Sequence, residues 1–294
     1  MATGITITDS LSDSLPTVVS AARQVREYKG VMTQVVDKQT LGAGVGNNWR
    51  EIDLAKLTAQ TITETTEEDN PQELSDSAIS VTPSIISVHT VVTDRTARNI
   101  SKNVFAKVGS LGQHAIERQK DKDGLTVLDG ATTALCGAGT TLTAGHIAAA
   151  AYRIRGNTSE PWDGPIAFVL HSFQMKDLFD QLVAGVGTYD ISSGLTADVF
   201  KNSFNLPIAN AQAYVDDNIS IDSADDAIGG VFASGANGAI ILVQARMPWV
   251  KTIRNEKLGG GATEVLHRDE YAYGERSSGN WLYEIISDVT VPTS

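Results

Sequence analysis

Thr143–Asn157 reads TAGHIAAAAYRIRGN, and a short Pro- and Gly-containing link leads to Ile166–Leu182, IAFVLHSFQMKDLFDQL. The first stretch is made of good helix formers, with Thr143 placed as the N-cap and Gly156 and Asn157 near the end. IAFVL is a short continuous apolar run, the pattern of a fully buried strand. HSF turns the chain. QMKDLFDQL then puts Met175, Leu178, Phe179 and Leu182 on one side of a second helix. Helix, buried strand and helix in this order predict a compact α/β unit.

Upstream, residues 94–120 carry Ile100, Val104, Val108, Leu111, Ala115 and Ile116 at spacings of three and four. That stripe predicts one helix of about 24 residues, roughly 36 Å long, ended by DKDG at 121–124. Gly109 and Gly112 lie inside it, each costing about 1 kcal/mol relative to Ala, and so point to a bend or a close backbone approach. Before the helix, MTQVVDKQTL reads as strand and GAGVGNN as a connector. WREIDLAKLTAQTITETT is Thr-rich and β-prone, and TEEDNPQE is an acidic break with Glu67, Glu68 and Asp69 at its tip. AISVTPSIISVHTVVTD resumes the β pattern, with Ile86, Val88, Thr90 and Val92 on one face. Two β-prone arms around a polar tip make a long hairpin, and such a hairpin is marginal alone in water. Residues 1–30 are rich in Thr, Ser and Asp and read as an extended arm with a short helix over Leu15–Tyr28.

Downstream, residues 184–236 are Gly-, Ser- and Asp-rich and suggest loops and short strands around LPIANAQAYV. The last sixty residues are β-prone again. GAIILVQA, PWVKTIRNE, ATEVLHRDEYAYGER and NWLYEIISDVTV read as four strands.

The chain has 294 residues, 41% of them hydrophobic, enough for one or two domains. No apolar run is long enough to span a membrane, and Met1–Ser20 lacks the pattern of a secretory signal. One cysteine, Cys136, excludes an intrachain disulfide and fits a reducing compartment. A formal charge of −12 argues against gripping phosphates.

Catalytic patterns are missing. Gly42, Gly44 and Gly46 are not followed by the Lys-Ser/Thr of a phosphate loop. His89, His114, His146, His171 and His267 form no metal-binding pair. His171 follows the buried strand, but no nucleophile accompanies it, and it reads as a turn residue capping the next helix. The run from Asp216 to Asp226 has Ile221 and Ala227 where a calcium loop needs Gly and Glu, and reads as a solvated loop. Trp49, Trp162, Trp249 and Trp281 read as packing or interface anchors.

The order of these pieces (arm, polar hairpin, single long helix, compact α/β part, strands returning to the end) resembles the tailed-bacteriophage major capsid protein family, whose shell fold is the Hong Kong 97 type. The resemblance covers nearly the whole chain. It is most specific at the two opening segments, where the family has a small-residue helix, a strand, a His-Pro-like turn and a helix; here Ser172 stands where proline is common. The resemblance implies an α+β fold with an N-terminal arm (1–30), an extended β-hairpin loop (31–92), a peripheral domain with a long spine helix (93–130 and 248–294), and an α/β axial domain (131–247). In that reading GAIILVQARMPWVKTIRNE leaves the axial domain, and ATEVLHRDEYAYGER and NWLYEIIS close the peripheral one.

The same resemblance implies a structural protein with no catalytic, cofactor-binding or metal residues. Its partners would be copies of itself, in pentamers and hexamers of an icosahedral lattice, with portal and decoration proteins and DNA enclosed without sequence-specific binding. It would be assembled in the host cytoplasm and found in the virion, away from any membrane. Too few residues precede the hairpin for a fused scaffolding domain of about 100 residues, so a separate scaffolding protein is expected. Some relatives join subunits by a Lys–Asn isopeptide bond. Lys38 and Lys56 lie in the hairpin region, but no Asn partner or catalytic Glu is identifiable. Three other readings stand beside this one: an encapsulin-like nanocompartment shell, which a neighbouring cargo gene would favour; a phage tail component, which would form tubes or fibres; and a small α/β hydrolase or binding protein built on 166–182, whose turnover would depend on His171.

Overall fold

The structure, a computed structural model, describes residues 5–6, 30–65, 71–99, 102–186, 207–258, 260–277, 279–289 and 291. The expected helix over 15–28, the Glu67–Asp69 tip, Ile100 of the helix stripe and the 187–206 part of the loop-rich stretch lie outside them, as do the side chains of Val104 and Leu182.

In chain order the elements are β1 (Ile5–Thr6), α1 (Met32–Val35), β2 (Asp37–Thr40), β3 (Trp49–Leu54), β4 (Asp76–Val81), β5 (Ser84–Thr93), α2 (Asp94–Asn99), α3 (Lys102–Asp129) and β6 (Ala134–Thr141). There follow α4 (Ala144–Arg155), β7 (Ile166–Leu170), α5 (Ser172–Val186), β8 (Ala211–Val215), β9 (Asp226–Ala233), β10 (Ile240–Asn255), β11 (Ala262–Glu275) and β12 (Leu282–Asp288). Among the described residues these form a sheet β1-β5-β11-β10-β2, a second sheet β6-β12-β9-β7-β8, and the separate pair β3-β4.

The unit read first from the sequence is present. All five residues of β7 are buried. Ile147, Ala150, Ala151 and Ile154 of α4, with Phe168, Leu178 and Phe232, build the main core. Fully burying one such large apolar side chain stabilises the fold by about 1.5–3 kcal/mol. At the start of α4 the Thr143 N–H donates to His146 Nδ1 at 3.3 Å, and the two side chains meet at 3.0 Å.

Helix α3 is longer than its sequence suggested: it has 28 residues, about 42 Å, and continues through DKDG to Asp129. Tertiary contacts override the expected stop. Asp121 accepts the Met32 N–H at 3.0 Å, and a Cβ on Gly124 would lie 2.9 Å from Met32 Cβ. The buried line along α3 also differs from the apolar stripe. Leu111 is 43% exposed, whereas Gly112 faces the sheet, so close that a Cβ there would sit 2.4 Å from His267 Nδ1. Ile116, Leu125 and Leu128 continue that line. The helix packs on β5 and β11 of the first sheet and on β9 and β12 of the second, and so ties the two together.

Three further readings are corrected. MTQVVDKQTL is not one strand but α1 followed by β2. GAIILVQA and PWVKTIRNE are one 16-residue strand, β10, whose register shifts between Gln244 and Trp249; Pro248 falls in that irregularity, where a missing N–H is tolerated. NWLYEIIS, grouped above with the peripheral strands, lies in the second sheet, parallel to β6 and antiparallel to β9. Leu282–Ile285 are all buried, as a central strand requires. β9, an eight-residue strand, lies beyond the LPIANAQAYV segment around which loops and short strands are expected, and its Gly229 and Gly230 bring it against Leu170 and Leu128.

Candidate assembly interface

Most of the residues with potential chemistry have structural partners; the exception is the buried His267, whose Nδ1 has no hydrogen-bond partner among the described residues. His171 Nδ1 accepts the Phe173 N–H at 3.1 Å, the capping role expected of it. Burial holds its imidazole below the usual histidine range, opposed by Asp217, whose Oδ1 is 3.7 Å from Nε2. His89 pairs with Glu264 at 3.2 Å. His114 lies 3.9 Å from Glu117 on the exposed side of α3. Burial raises the pKa of the Cys136 thiol, the reverse of nucleophile activation. Among the described residues no group of three or more His, Cys, Asp or Glu could hold a metal.

The Asp216–Asp226 run is only in part the solvated loop expected: Ser220 and 222–225 are exposed, but its ends are not. Asp216, Asn218 and Asp226 are buried, because backbone N–H groups distant in sequence bind the carboxylates. Val31 donates to Asp216 at 3.1 Å and Gly139 donates to Asp226 at 2.7 Å. The tryptophans anchor packing: Trp162 and Trp281 stack at 5.0 Å, and Arg246 lies 3.9 Å over Trp249.

What the molecule leaves uncovered is the β3–β4 hairpin. Its register pairs Trp49 with Val81 and Leu54 with Asp76. Beyond the strands, Ala55 N–H donates to Ser75 O at 2.9 Å and Thr58 N–H donates to Gln72 Oε1 at 2.8 Å, so the arms stay paired past Leu54. At the root Val81 packs with Leu41, Ile241 and Val243, and Trp49 and Ile79 lie against them. Arg276, 4% exposed, locks this root. Its Nη1 meets Asp37 at 2.7 Å, its Nε donates to Glu51 at 2.8 Å, and it also donates to Gly238 O at 3.1 Å. Further out, Lys56 Nζ donates to Thr158 O at 2.9 Å. The arms themselves are apolar and open: Ile52, Leu54, Leu57, Ile62 and Leu74 are exposed, Leu54 by 74%. The strand AISVTPSIISVHTVVTD is split at Pro83. Its first part closes the hairpin and its second, β5, is an interior strand of the first sheet.

A second open feature lies on β10. β2 pairs only with Ile241–Gln244, so among the described residues Arg246–Asn255 hydrogen-bonds to β11 on one side and presents an unpaired edge on the other. Met247 (69%), Val250 and Ile253 are exposed along it. The edge carries Arg246 and Lys251 as well as Arg254, which is paired with Asp94 and Glu256, whereas residues 55–76 of the hairpin carry Glu64, Glu67, Glu68, Asp69, Glu73 and Asp76 against Lys56 alone.

No family profile and no curated protein sequence matches the chain. Solved structures do. The chain is similar to the Cyanophage Pam1 capsid asymmetric unit (TM-score 0.73, 10% identity, 94% of this chain and 96% of that one). It is similar to the head structure of Helicobacter pylori bacteriophage KHP40 (TM-score 0.70, 12% identity, 97% and 98%). It is also similar to a Mycobacterium phage Che8 chain (TM-score 0.69, 14% identity, 94% and 98%). The chain has the fold of tailed-phage capsid proteins, the Hong Kong 97 type.

Proposed function

We propose that this chain is the major capsid protein of a tailed phage, self-assembling into the icosahedral head shell that encloses double-stranded DNA. The observation that carries the reading is the β3–β4 hairpin. It turns Ile52 and Leu54 to solvent while its root is fixed by Arg276 and the Leu41–Val81 cluster. A rigidly mounted, outward apolar arm makes little sense on a monomer and good sense in a lattice where it lies on a second copy. The open edge of β10 supplies a receiving surface of opposite charge and compatible apolar character on that copy.

Each subunit gives and receives the contact, so the interface is heterologous and closes rings, which become the pentamers and hexamers of the shell. Residues 1–30 act as the N-terminal arm and 31–92 supply the extended loop. Residues 93–130 with the strands from 248 form the peripheral part around α3, and 131–247 form the axial part, to which β12 adds a strand. A separate scaffolding protein, a portal and decoration proteins complete assembly in the host cytoplasm, and the protein catalyses nothing. The DNA is enclosed by an acidic protein without sequence-specific contacts. Electron microscopy of the purified chain, alone and co-expressed with a scaffolding protein, tests the reading. Closed particles of uniform size are expected; a monodisperse monomer under both conditions would refute it.

A further inference from the structure

Asp121 on α3 and Asp216 after β8 are each 1% exposed, and their carboxyl groups lie side by side, both bound by Asn218 and by the consecutive amides of Val31 and Met32. These partners are neutral donors. Met32 N–H donates to Asp121 Oδ1 at 3.0 Å and Asn218 Nδ2 to Asp121 Oδ2 at 2.8 Å. Val31 N–H donates to Asp216 Oδ2 at 3.1 Å and Asn218 N–H to Asp216 Oδ1 at 3.0 Å. Neighbouring charges are engaged elsewhere or point away. On α3, Lys120 binds Asp269 at 3.1 Å, Lys122 is exposed, and Asp123 accepts from Tyr271 at 2.7 Å. Beside Asp216, Asp217 accepts from the Ser172 N–H at 3.1 Å and lies 3.7 Å from His171. From β11, the half-buried Tyr273 brings its ring to Gly124 beside Met32, and its inaccessible hydroxyl has no hydrogen-bond partner among the described residues. Two buried carboxyl groups in contact, with no cation bonded to either among the described residues, cannot both ionise without strong repulsion. The segment they hold is Gly30–Met32, packed so tightly that a Cβ on Gly30 would fall 2.1 Å from the Asp121 carboxyl carbon.

We propose that Asp121 and Asp216 hold one proton between them and form a pH-sensitive clasp on Gly30–Met32, the root of the N-terminal segment, which opens when that proton is lost. The clasp belongs to the single chain and does not depend on the shell reading. Burial, with the Asp121 contact second, pushes the Asp216 carboxyl up to about 7. The clasp is therefore tightest in acid, loosens progressively as pH rises from the ordinary carboxylate range to about 7, and changes no further above that. With the opened form carrying an ordinary carboxylate, opening becomes about thirtyfold more favourable between about pH 5.5 and about pH 8.5.

Hydrogen exchange of the Val31 and Met32 amides in the full-length chain, corrected for the intrinsic pH dependence of exchange, reads this directly. Protection is expected to fall about thirtyfold across that interval in the native chain, and to be flat in Asp216→Asn, whose amide donates permanently to Asp121. Equal protection at both pH values in the native chain, or the same fall in Asp216→Asn, would overturn the proposal. Should Asp216→Asn not fold, infrared spectroscopy of the native chain decides: a buried protonated carboxyl band present in acid and lost in base is expected, and a band absent throughout, or indifferent to pH, overturns it.

Discussion

Arg276 and Glu51 stand 225 positions apart in sequence and meet at 2.8 Å, joining the turn after β11 to the root of the hairpin. The same guanidinium binds Asp37 at 2.7 Å, so one side chain fixes β2, β3 and the main sheet relative to each other. Arg276→Ala would leave the buried Asp37 carboxylate without its cation, held by Gln39, and a buried pair broken at one end costs about 3–5 kcal/mol. Glu51 is partly solvated, and Glu51→Gln should cost no more than about 1 kcal/mol. Urea unfolding of the two variants is expected to show this ordering; equal losses would mean that Arg276 does not act as the lock.

Gly109 and Gly112 provide a matched pair within α3. Nothing lies within 4 Å of a Cβ on Gly109, whereas one on Gly112 would meet His267 at 2.4 Å. Gly109→Ala should stabilise the chain by up to about 1 kcal/mol through helix propensity. Gly112→Ala should destabilise it by about 1–3 kcal/mol through overpacking. Thermal unfolding distinguishes them, and shifts of the same sign would contradict the close packing of α3 on β11.

His171 supplies a pH dependence of ordinary sign. Its Nδ1 must stay unprotonated to accept the Phe173 N–H, and burial lowers its pKa from 6.5. Its contribution is therefore complete above the unfolded value and is lost as pH falls through the lower folded value. His171→Asn keeps an acceptor that does not titrate. Urea midpoints compared between neutral and mildly acidic buffer should fall more for the native chain than for this variant, and parallel falls would remove His171 from the account.

What could be read in the sequence was whatever depended on neighbours along the chain. IAFVL, the Thr143 cap and the His171 turn are local patterns, and the structure keeps them. The failures share a different cause. Gly229–Gly230 look like loop residues until Leu128 and Leu170 are seen filling the space where side chains would stand. Asp216 and Asp226 look solvated until backbone donors at Val31 and Gly139 reach them. Pro248 splits β10 in the sequence but not in space, because it lies in an irregularity on an edge. At the hairpin, the β-prone character of WREIDLAKLTAQTITETT points to a strand, but not to an Ile52 and Leu54 face that stays open.

Charge reversal on the β10 edge tests the receiving surface. Lys251 is exposed and has no ion-pair partner among the described residues, so Lys251→Glu should leave folding unchanged within about 0.5 kcal/mol. If the acidic hairpin of a second copy lies there, the variant should assemble more slowly, and the native chain should assemble less readily as salt screens the attraction. Light scattering during assembly follows both. Indifference to the charge and to salt would move the receiving surface off β10.

The hairpin itself gives the sharpest separation between folding and assembly. Ile52 and Leu54 are 59% and 74% exposed, so little of their surface supports the folded monomer. Replacing both by serine should leave the melting temperature of the free chain nearly unchanged, as surface substitutions do. In a lattice each side chain would be buried on a second copy, and full burial of such a side chain contributes about 1.5–3 kcal/mol. Losing both would weaken each contact by a factor of about a hundred or more. Because a closed shell repeats the contact at every subunit, that loss multiplies and particles should fail to form at concentrations where the native chain makes them. Calorimetry of the free chain and electron microscopy of assembled material are the two readouts. A double serine variant with a lowered melting temperature and normal particles would show that the hairpin packs within its own subunit, and the lattice contact would have to be sought elsewhere.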